Sequence, residues 1–270
     1  MYLHNIGEID GESNISPNDA LVADTGNRFD YVMTNPPFGK KSSYTVTNEE
    51  GETEREDLSY NRQDFWETTS NKQLNFLQHI KSMLKVTGQA VVVLPDNLLF
   101  EGGAGEEVRK QLMETTDLHT ILRLPTGIFY AQGVKANVLF FDNKAASKDA
   151  QTKEVWFYDY RTNIHHTLKK KPLSAANLED FVKLYNAGNR HKRIETWSED
   201  TPEGRWRKYS YEEILARDKT NLDIFWLRDK SLTDLDNLPD PDILASEIIE
   251  NLEAGIESFK EIMESLNGRE

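Results

Sequence analysis

The sequence predicts an α/β fold, a mostly parallel sheet with helices on both faces followed by a mostly helical carboxy-terminal extension. Two observations lead there. Short apolar runs rich in β-favouring residues recur at Phe29–Met33, Ala90–Leu94, Thr120–Leu124, Asn137–Phe141 and Glu154–Tyr160, each of strand length. Between them lie stretches with apolar residues at helical spacing, and helix alternating with strand is the signature of this class.

Taken in order, residues 1–28 are mixed, with only short apolar pieces. Phe29–Met33 reads as a buried strand, and it stops at Asn35-Pro36-Pro37, because proline lacks the N–H a ladder needs and restricts the residue before it. The chain thus delivers an amide, a rigid turn and the Phe38 ring at the carboxyl end of a strand, where open α/β sheets bind ligands. As a bare turn, Asn-Pro is also simply a common breaker.

Lys40–Asn71 is a long polar segment, acidic in its first half, and segments of this length inside compact domains are usually functional or disordered. Its position directly after the turn makes it a candidate lid. Lys40, Lys41 and Arg62 are candidate phosphate contacts, against the plainer reading of scattered surface charges. Leu74, Leu77, Ile80 and Leu84 predict an amphipathic helix over 73–86 ended by Gly88. Gly102-Gly103-Ala104-Gly105, before a helix over Glu106–Met113, superficially resembles a dinucleotide fingerprint. Glu101, Glu106 and Glu107 crowd the helix start where a phosphate wants neutral or basic company, so the stretch is read as a helix-entry loop.

From Arg161 on the character changes. Lys169-Lys170-Lys171, Arg190-His191-Lys192-Arg193 and Arg205-Trp206-Arg207-Lys208 are the local candidates for DNA contact, weighed against a solvated charged face. His165-His166 lacks ligating companions at metal spacing, and no metal is expected. Asp240-Pro241 is a good helix start. The positions Ala245, Ile248, Leu252, Ile256, Phe259, Met263 and Leu266 then step by three and four, as a coiled-coil seam does; packing on the chain's own domain is the other reading.

The 32 basic residues face 46 acidic ones, a net charge of −14, which is unusual for a surface that must grip phosphates unaided. Cysteine is absent, which excludes disulfides, thiolate metal sites and cysteine nucleophiles. No apolar run approaches the ~20 residues of a membrane span, and the amino terminus lacks a signal core. A cytoplasmic location is the expectation.

The chemistry open to Asn35-Pro36-Pro37-Phe38 is methylation of an exocyclic amine. The Asn35 side-chain oxygen and the Pro36 carbonyl, placed against the amine hydrogens, localise its lone pair and stabilise the positive charge developing on attack. Phe38 stacks on a base that has left the duplex. In this setting the motif resembles that of the amino-group DNA methyltransferases that use S-adenosylmethionine, and most closely the modification (M) subunit of type I restriction–modification systems. The resemblance spans nearly the whole chain, through Asn18-Asp19-Ala20-Leu21, Gln73-Leu74-Asn75-Phe76, Val91–Pro95 with Leu99-Phe100, Leu122–Phe129 and Gly133–Phe141.

The resemblance implies the later half of a Rossmann-like methyltransferase sheet and methyl transfer from S-adenosylmethionine to adenine N6 in DNA. It makes Asn35, Pro36, Pro37 and Phe38 catalytic, Asp19 a cofactor contact, and Phe38 and Phe129 the rings that stack on the target base. The implied partners are DNA, a specificity subunit and a restriction subunit. The family's glycine-rich cofactor turn lies upstream of the matched segment, so this chain is expected to be inactive alone. Three regions are expected: 1–165 catalytic, 166–237 an extension with the basic clusters, and 238–270 a docking helix. The alternatives are a glutamine or ribosomal RNA guanine methyltransferase sharing the turn, or a docking fragment without catalysis.

Overall fold

The computed structural model describes residues 8–9, 12–13, 19–39, 43–47, 53–57, 59–130 and 133–230. Lys40, Lys41 and the expected helix over 241–266 with its docking seam lie outside the described residues. The chain divides into two compact units, Met1–Leu227 and Arg228–Glu270, and the first carries the main sheet with its helices.

Among the described residues ten strands appear in order. β1 (Glu8–Ile9) and β2 (Glu12–Ser13) form a minimal ribbon, and β3 (Phe29–Thr34) begins the main sheet. β4 (Ser43–Thr47) and β5 (Thr53–Asp57) pair antiparallel within the long polar segment. β6 (Leu84–Pro95), β7 (Thr116–Arg123), β8 (Ala136–Asn143), β9 (Glu154–Asp159) and β10 (Trp206–Ser210) complete a six-stranded sheet of order β10-β9-β7-β8-β6-β3.

β3 pairs parallel with β6, and β7 parallel with β9. β8 lies between β6 and β7 and is antiparallel to both, and β10 is antiparallel to β9. The sheet is therefore more mixed than the sequence predicts. The reason is the link from β7 to β8, in which the described residues form no helix: a parallel return needs a crossover element, whereas an antiparallel one does not.

The helices are α1 (Lys72–Ser82), the single turn α2 (Asn97–Phe100), α3 (Ala104–Thr115), α4 (Glu179–Tyr185) and α5 (Tyr211–Leu215). α1 starts because the Asn71 side chain accepts from the Gln73 and Leu74 N–H groups, satisfying two of the donors a helix start leaves open. Leu74, Leu77 and Ile80 then bury on one face. The helix ends at Ser82, earlier than its apolar spacing predicts, because Leu84 already belongs to β6. Gly88 lies inside that strand: a Cβ there would sit 2.8 Å from the Phe29 carbonyl oxygen, so only glycine lets β3 approach.

One face of the sheet, with Ala90, Val92, Leu94, Leu118, Ile121, Leu139, Phe141 and Phe157, packs with residues of α1, α3 and α5. The other face, with Leu122, Trp156, Tyr158 and Trp206, packs with Phe181 of α4. Segment 166–227 therefore adds the strand β10 and the helices α4 and α5 to the same compact unit. β3 differs from the expected buried strand. It stands at the sheet edge with Tyr31 76% and Met33 85% exposed. Val32 packs on the first core, while Tyr31 and Met33 point to the opposite face and line a hollow of about 250 Å³ with Val91, Phe140 and Tyr185.

Candidate active site

β3 ends at Thr34 and hands over to Asn35-Pro36-Pro37-Phe38 at its carboxyl end. Pro36 is buried and Asn35 exposed; among the described residues nothing hydrogen-bonds the Asn35 amide, which leaves it open to a substrate. Phe38 is half-buried and meets Phe129, the rings edge to face with centroids 5.3 Å apart and planes at 76°, an arrangement aromatic pairs favour. The two rings that the sequence assigns to one base thus sit together, and both pack on the second core. They touch each other, the edge of one ring against the face of the other.

Residues without an assigned role in the sequence hold this turn. Gln73, in the first turn of α1 and 1% exposed, donates through Nε2 to the Phe38 carbonyl at 2.5 Å. Its Oε1 accepts from Asn97 Nδ2 at 2.9 Å. Arg161 gathers the strand ends behind the rings. It donates to both Asp96 carboxylate oxygens at 2.7 and 2.8 Å and to the carbonyls of Leu124 and Ala136, each at 2.8 Å. Leu124 and Ala136 bound the loop that carries Phe129. Within that loop Gly127 has φ +82°, and a Cβ there would fall 1.9 Å from the His166 carbonyl oxygen. Glycine is required on both counts.

Asp19 lies in a turn where its Oδ1 accepts from the Leu21 N–H at 2.9 Å and its Oδ2 from the Tyr60 hydroxyl at 2.8 Å. Both oxygens are tethered while the residue stays exposed. Arg62 is not the surface charge that its sequence context suggests. It is buried, paired with Asp64 at 2.6 Å, 3.0 Å from His79 Nδ1 and stacked over Phe65. Gly102 and Gly103 open α3 as a helix-entry loop, and Arg109 fills the space behind, donating to the carbonyls of Leu98, Glu101, Lys219 and Thr220. Burial lowers the Arg109 guanidinium to about 10.

The basic clusters largely serve the fold. Arg190 pairs with Asp142, and Arg193 is buried, donating to the Tyr185 carbonyl at 2.7 Å and Thr120 Oγ1 at 3.0 Å. Arg205 donates to the carbonyls of Asp159 and Thr162, Trp206 is buried, Arg207 stacks on Trp197, and Lys208 pairs with Glu154. Lys169 and Lys170 remain exposed. His166 is spent inside, its ring nitrogens 3.0 Å from the Tyr160 hydroxyl and from the Lys171 carbonyl. Among the described residues no group of three His, Asp or Glu is placed to hold a metal, and no helix is long and apolar enough to cross a membrane.

Gln73 stands in a stretch the sequence marks by resemblance, but its role needed the α1–turn contact. Arg161 carried no local signal, since its partners lie on three separate strand ends.

The mixed six-stranded sheet, with β8 and β10 antiparallel to their neighbours, and the Asn-Pro-Pro-Phe turn at a strand's carboxyl end put the chain in the α/β methyltransferase fold class. The chain matches the N-6 DNA Methylase family over residues 1–224 and belongs to that family. It is 38% identical over 292 aligned residues to the type I restriction enzyme EcoKI methylase subunit of Escherichia coli (strain K12), covering 98% of this chain and 52% of that protein. The same identity and coverage relate it to the StySJI methylase subunit of Salmonella typhimurium. The crystal structure of the EcoKI M protein superposes with a TM-score of 0.63 at 37% identity, over 92% of this chain and 53% of that one. The chain spans about half the length of the curated relatives it matches.

Proposed function

We propose that this chain is the target-base half of a type I modification subunit, which in its complete form transfers a methyl group from S-adenosylmethionine to adenine N6 in DNA. The observation that carries the reading is the exposed Asn35 amide, without a hydrogen-bond partner among the described residues, beside buried Pro36 at a strand's carboxyl end, with the Phe38 ring adjoining. Asn35 and the Pro36 carbonyl accept the two amine hydrogens and draw the N6 lone pair out of the ring. Phe38 holds the face of the extruded adenine, and Phe129 turns aside to its other face. When bound, the cofactor supplies an electrophilic methyl group. The proton leaves N6 to solvent after transfer, so the site needs no strong base.

Asp19, held still by Leu21 and Tyr60, offers its remaining lone pairs to the amine of the cofactor's adenine. That contact alone does not hold a cofactor, and the rest of the site belongs to the remainder of a complete subunit. The exposed Tyr31 and Met33 side chains and the free edge of β3 among the described residues are the surface on which that remainder packs. A stripe of this kind is a liability in water. DNA recognition falls to a specificity subunit, with a restriction subunit joining the complex, consistent with the chain's charge of −14. Segment 166–227 supports the sheet, and 238–270 docks the partner, in the cytoplasm.

The test is Asn35→Ala in a complete subunit. Losing one electrostatic acceptor lowers the transfer rate by ~10²–10³ with cofactor affinity unchanged. Transfer within threefold of the unaltered subunit removes Asn35 from the mechanism.

A further inference from the structure

We propose that Gln73, aimed by Asn97, is a positioning residue that sets the Phe38 ring as the fixed wall of the base site; the inference rests on the methyl-transfer reading above. The turn that carries Phe38 holds two prolines, Pro36 and Pro37, so its backbone lacks two N–H groups and cannot be locked by a strand ladder. A side chain does the locking instead. Gln73 Nε2 donates to the Phe38 carbonyl at 2.5 Å, from a residue 1% exposed at the start of a helix.

The orientation of that amide is set by chemistry. The Phe38 carbonyl can only accept, so the Gln73 atom facing it is the nitrogen, and the oxygen is turned to Asn97, whose Nδ2 donates to it at 2.9 Å. The Asn97 amide is oriented by the same contact, and its neighbour Asp96 is gripped by Arg161 in a two-pronged ion pair. A connected set of groups thus runs from the strand ends to the backbone of Phe38. Gln73 lies in α1 and Asn97 starts α2 directly after β6, and regular elements of this kind give a site its precision. Among the described residues Phe129 has no such side-chain tether on its own backbone, and it sits mid-loop between the anchored Leu124 and Ala136. Phe38 is therefore the wall, and Phe129 is the ring that yields to an incoming base.

Gln73→Glu keeps the length and the Asn97 contact but presents a carboxylate oxygen to the Phe38 carbonyl. The variant is made in a complete subunit whose unaltered form transfers methyl groups, with Asn35→Ala beside it. DNA carrying 2-aminopurine at the target adenine reports extrusion by its fluorescence. At pH 8, Gln73→Glu is expected to lose at least tenfold in kcat and most of the fluorescence rise, with KM for S-adenosylmethionine within twofold. Asn35→Ala is expected to lose transfer while keeping the fluorescence rise, so failure of the wall and failure of the chemistry are told apart.

Burial and the facing Phe38 carbonyl favour the protonated form of the carboxyl introduced by Gln73→Glu. As pH falls toward 5.5 it therefore regains an O–H donor, and the variant's activity relative to the unaltered subunit is expected to recover. Gln73→Met, which has no donor at any pH, stays low throughout. The proposal is overturned if Gln73→Glu transfers within threefold of the unaltered subunit at pH 8. It is also overturned if both Gln73 variants lose activity only in step with a lowered melting temperature, with no recovery of Gln73→Glu at low pH.

Discussion

Phe38 and Phe129 touch edge to face at 5.3 Å, although one follows a strand at the sheet edge and the other sits in a loop between two central strands. The contact joins two segments that lie far apart in the sequence. In the isolated chain, a Phe38→Ala, Phe129→Ala double-mutant cycle in urea is expected to give a coupling of about 0.5–1.5 kcal/mol. A coupling indistinguishable from zero means the rings do not meet in solution. In a complete subunit, Phe38→Ala weakens binding of the extruded base by about 1–3 kcal/mol, which equilibrium titration with target DNA measures.

The turn at Gly127 leaves no room for a side chain. Gly127→Ala is expected to cost at least about 2 kcal/mol, from a left-handed backbone strained by a Cβ and a clash with the His166 carbonyl. The nearby Gly133→Ala, which meets nothing within 4 Å, is expected to fall within about 0.5 kcal/mol of the unaltered chain. Urea melts of the two variants side by side check the contrast.

Two buried histidines tie stability to pH. Burial lowers His119, with Arg190 adding to the effect and the Asp142 hydrogen bond opposing it. Burial and the nearby Arg62 lower His79. At Asp142 burial works upward, but the His119 and Arg190 hydrogen bonds outweigh it and hold the carboxyl well below its usual range. In the unfolded chain a histidine takes its proton near pH ~6.5, whereas in the fold these rings stay neutral to lower pH. The unfolded state binds more protons in that window, so this stability is complete above about 6.5 and is lost as pH falls through the folded values. The slope is at most about 1.4 kcal/mol per pH unit for each ring. Melting temperatures between pH 7.5 and 5 are expected to decline, and His119→Gln to flatten the decline.

The chain by itself is expected to bind S-adenosylmethionine weakly and to transfer no methyl group, because Asp19 alone does not make a cofactor site. Calorimetric titration of the isolated chain reads this directly. A micromolar dissociation constant places a second cofactor-holding element within these 270 residues and returns the Gly102–Gly105 loop to consideration.

What the sequence determined by itself was the local grammar. Apolar runs of strand length placed β7, β8 and β9 within a few residues and the carboxyl half of β6, and Asn35-Pro36-Pro37 marked where β3 must stop, because proline cannot extend a ladder whatever surrounds it. The acceptors the turn offers were legible for the same reason: an amide and a proline carbonyl carry them in any context. Partnership was decided only in three dimensions. β8 runs against its neighbours because of how the loop before it returns, which no strand pattern records. β3 reads as buried from composition, yet it stands at the edge with Tyr31 and Met33 exposed, since burial depends on what lies across the sheet. Arg62, Arg190, Arg193 and Arg205 look alike as basic residues, but each meets carbonyls or carboxylates brought from distant segments, and a desolvated guanidinium must take such partners. Gln73 and Arg161 gained their roles in the same way, from acceptors that only the folded chain assembles.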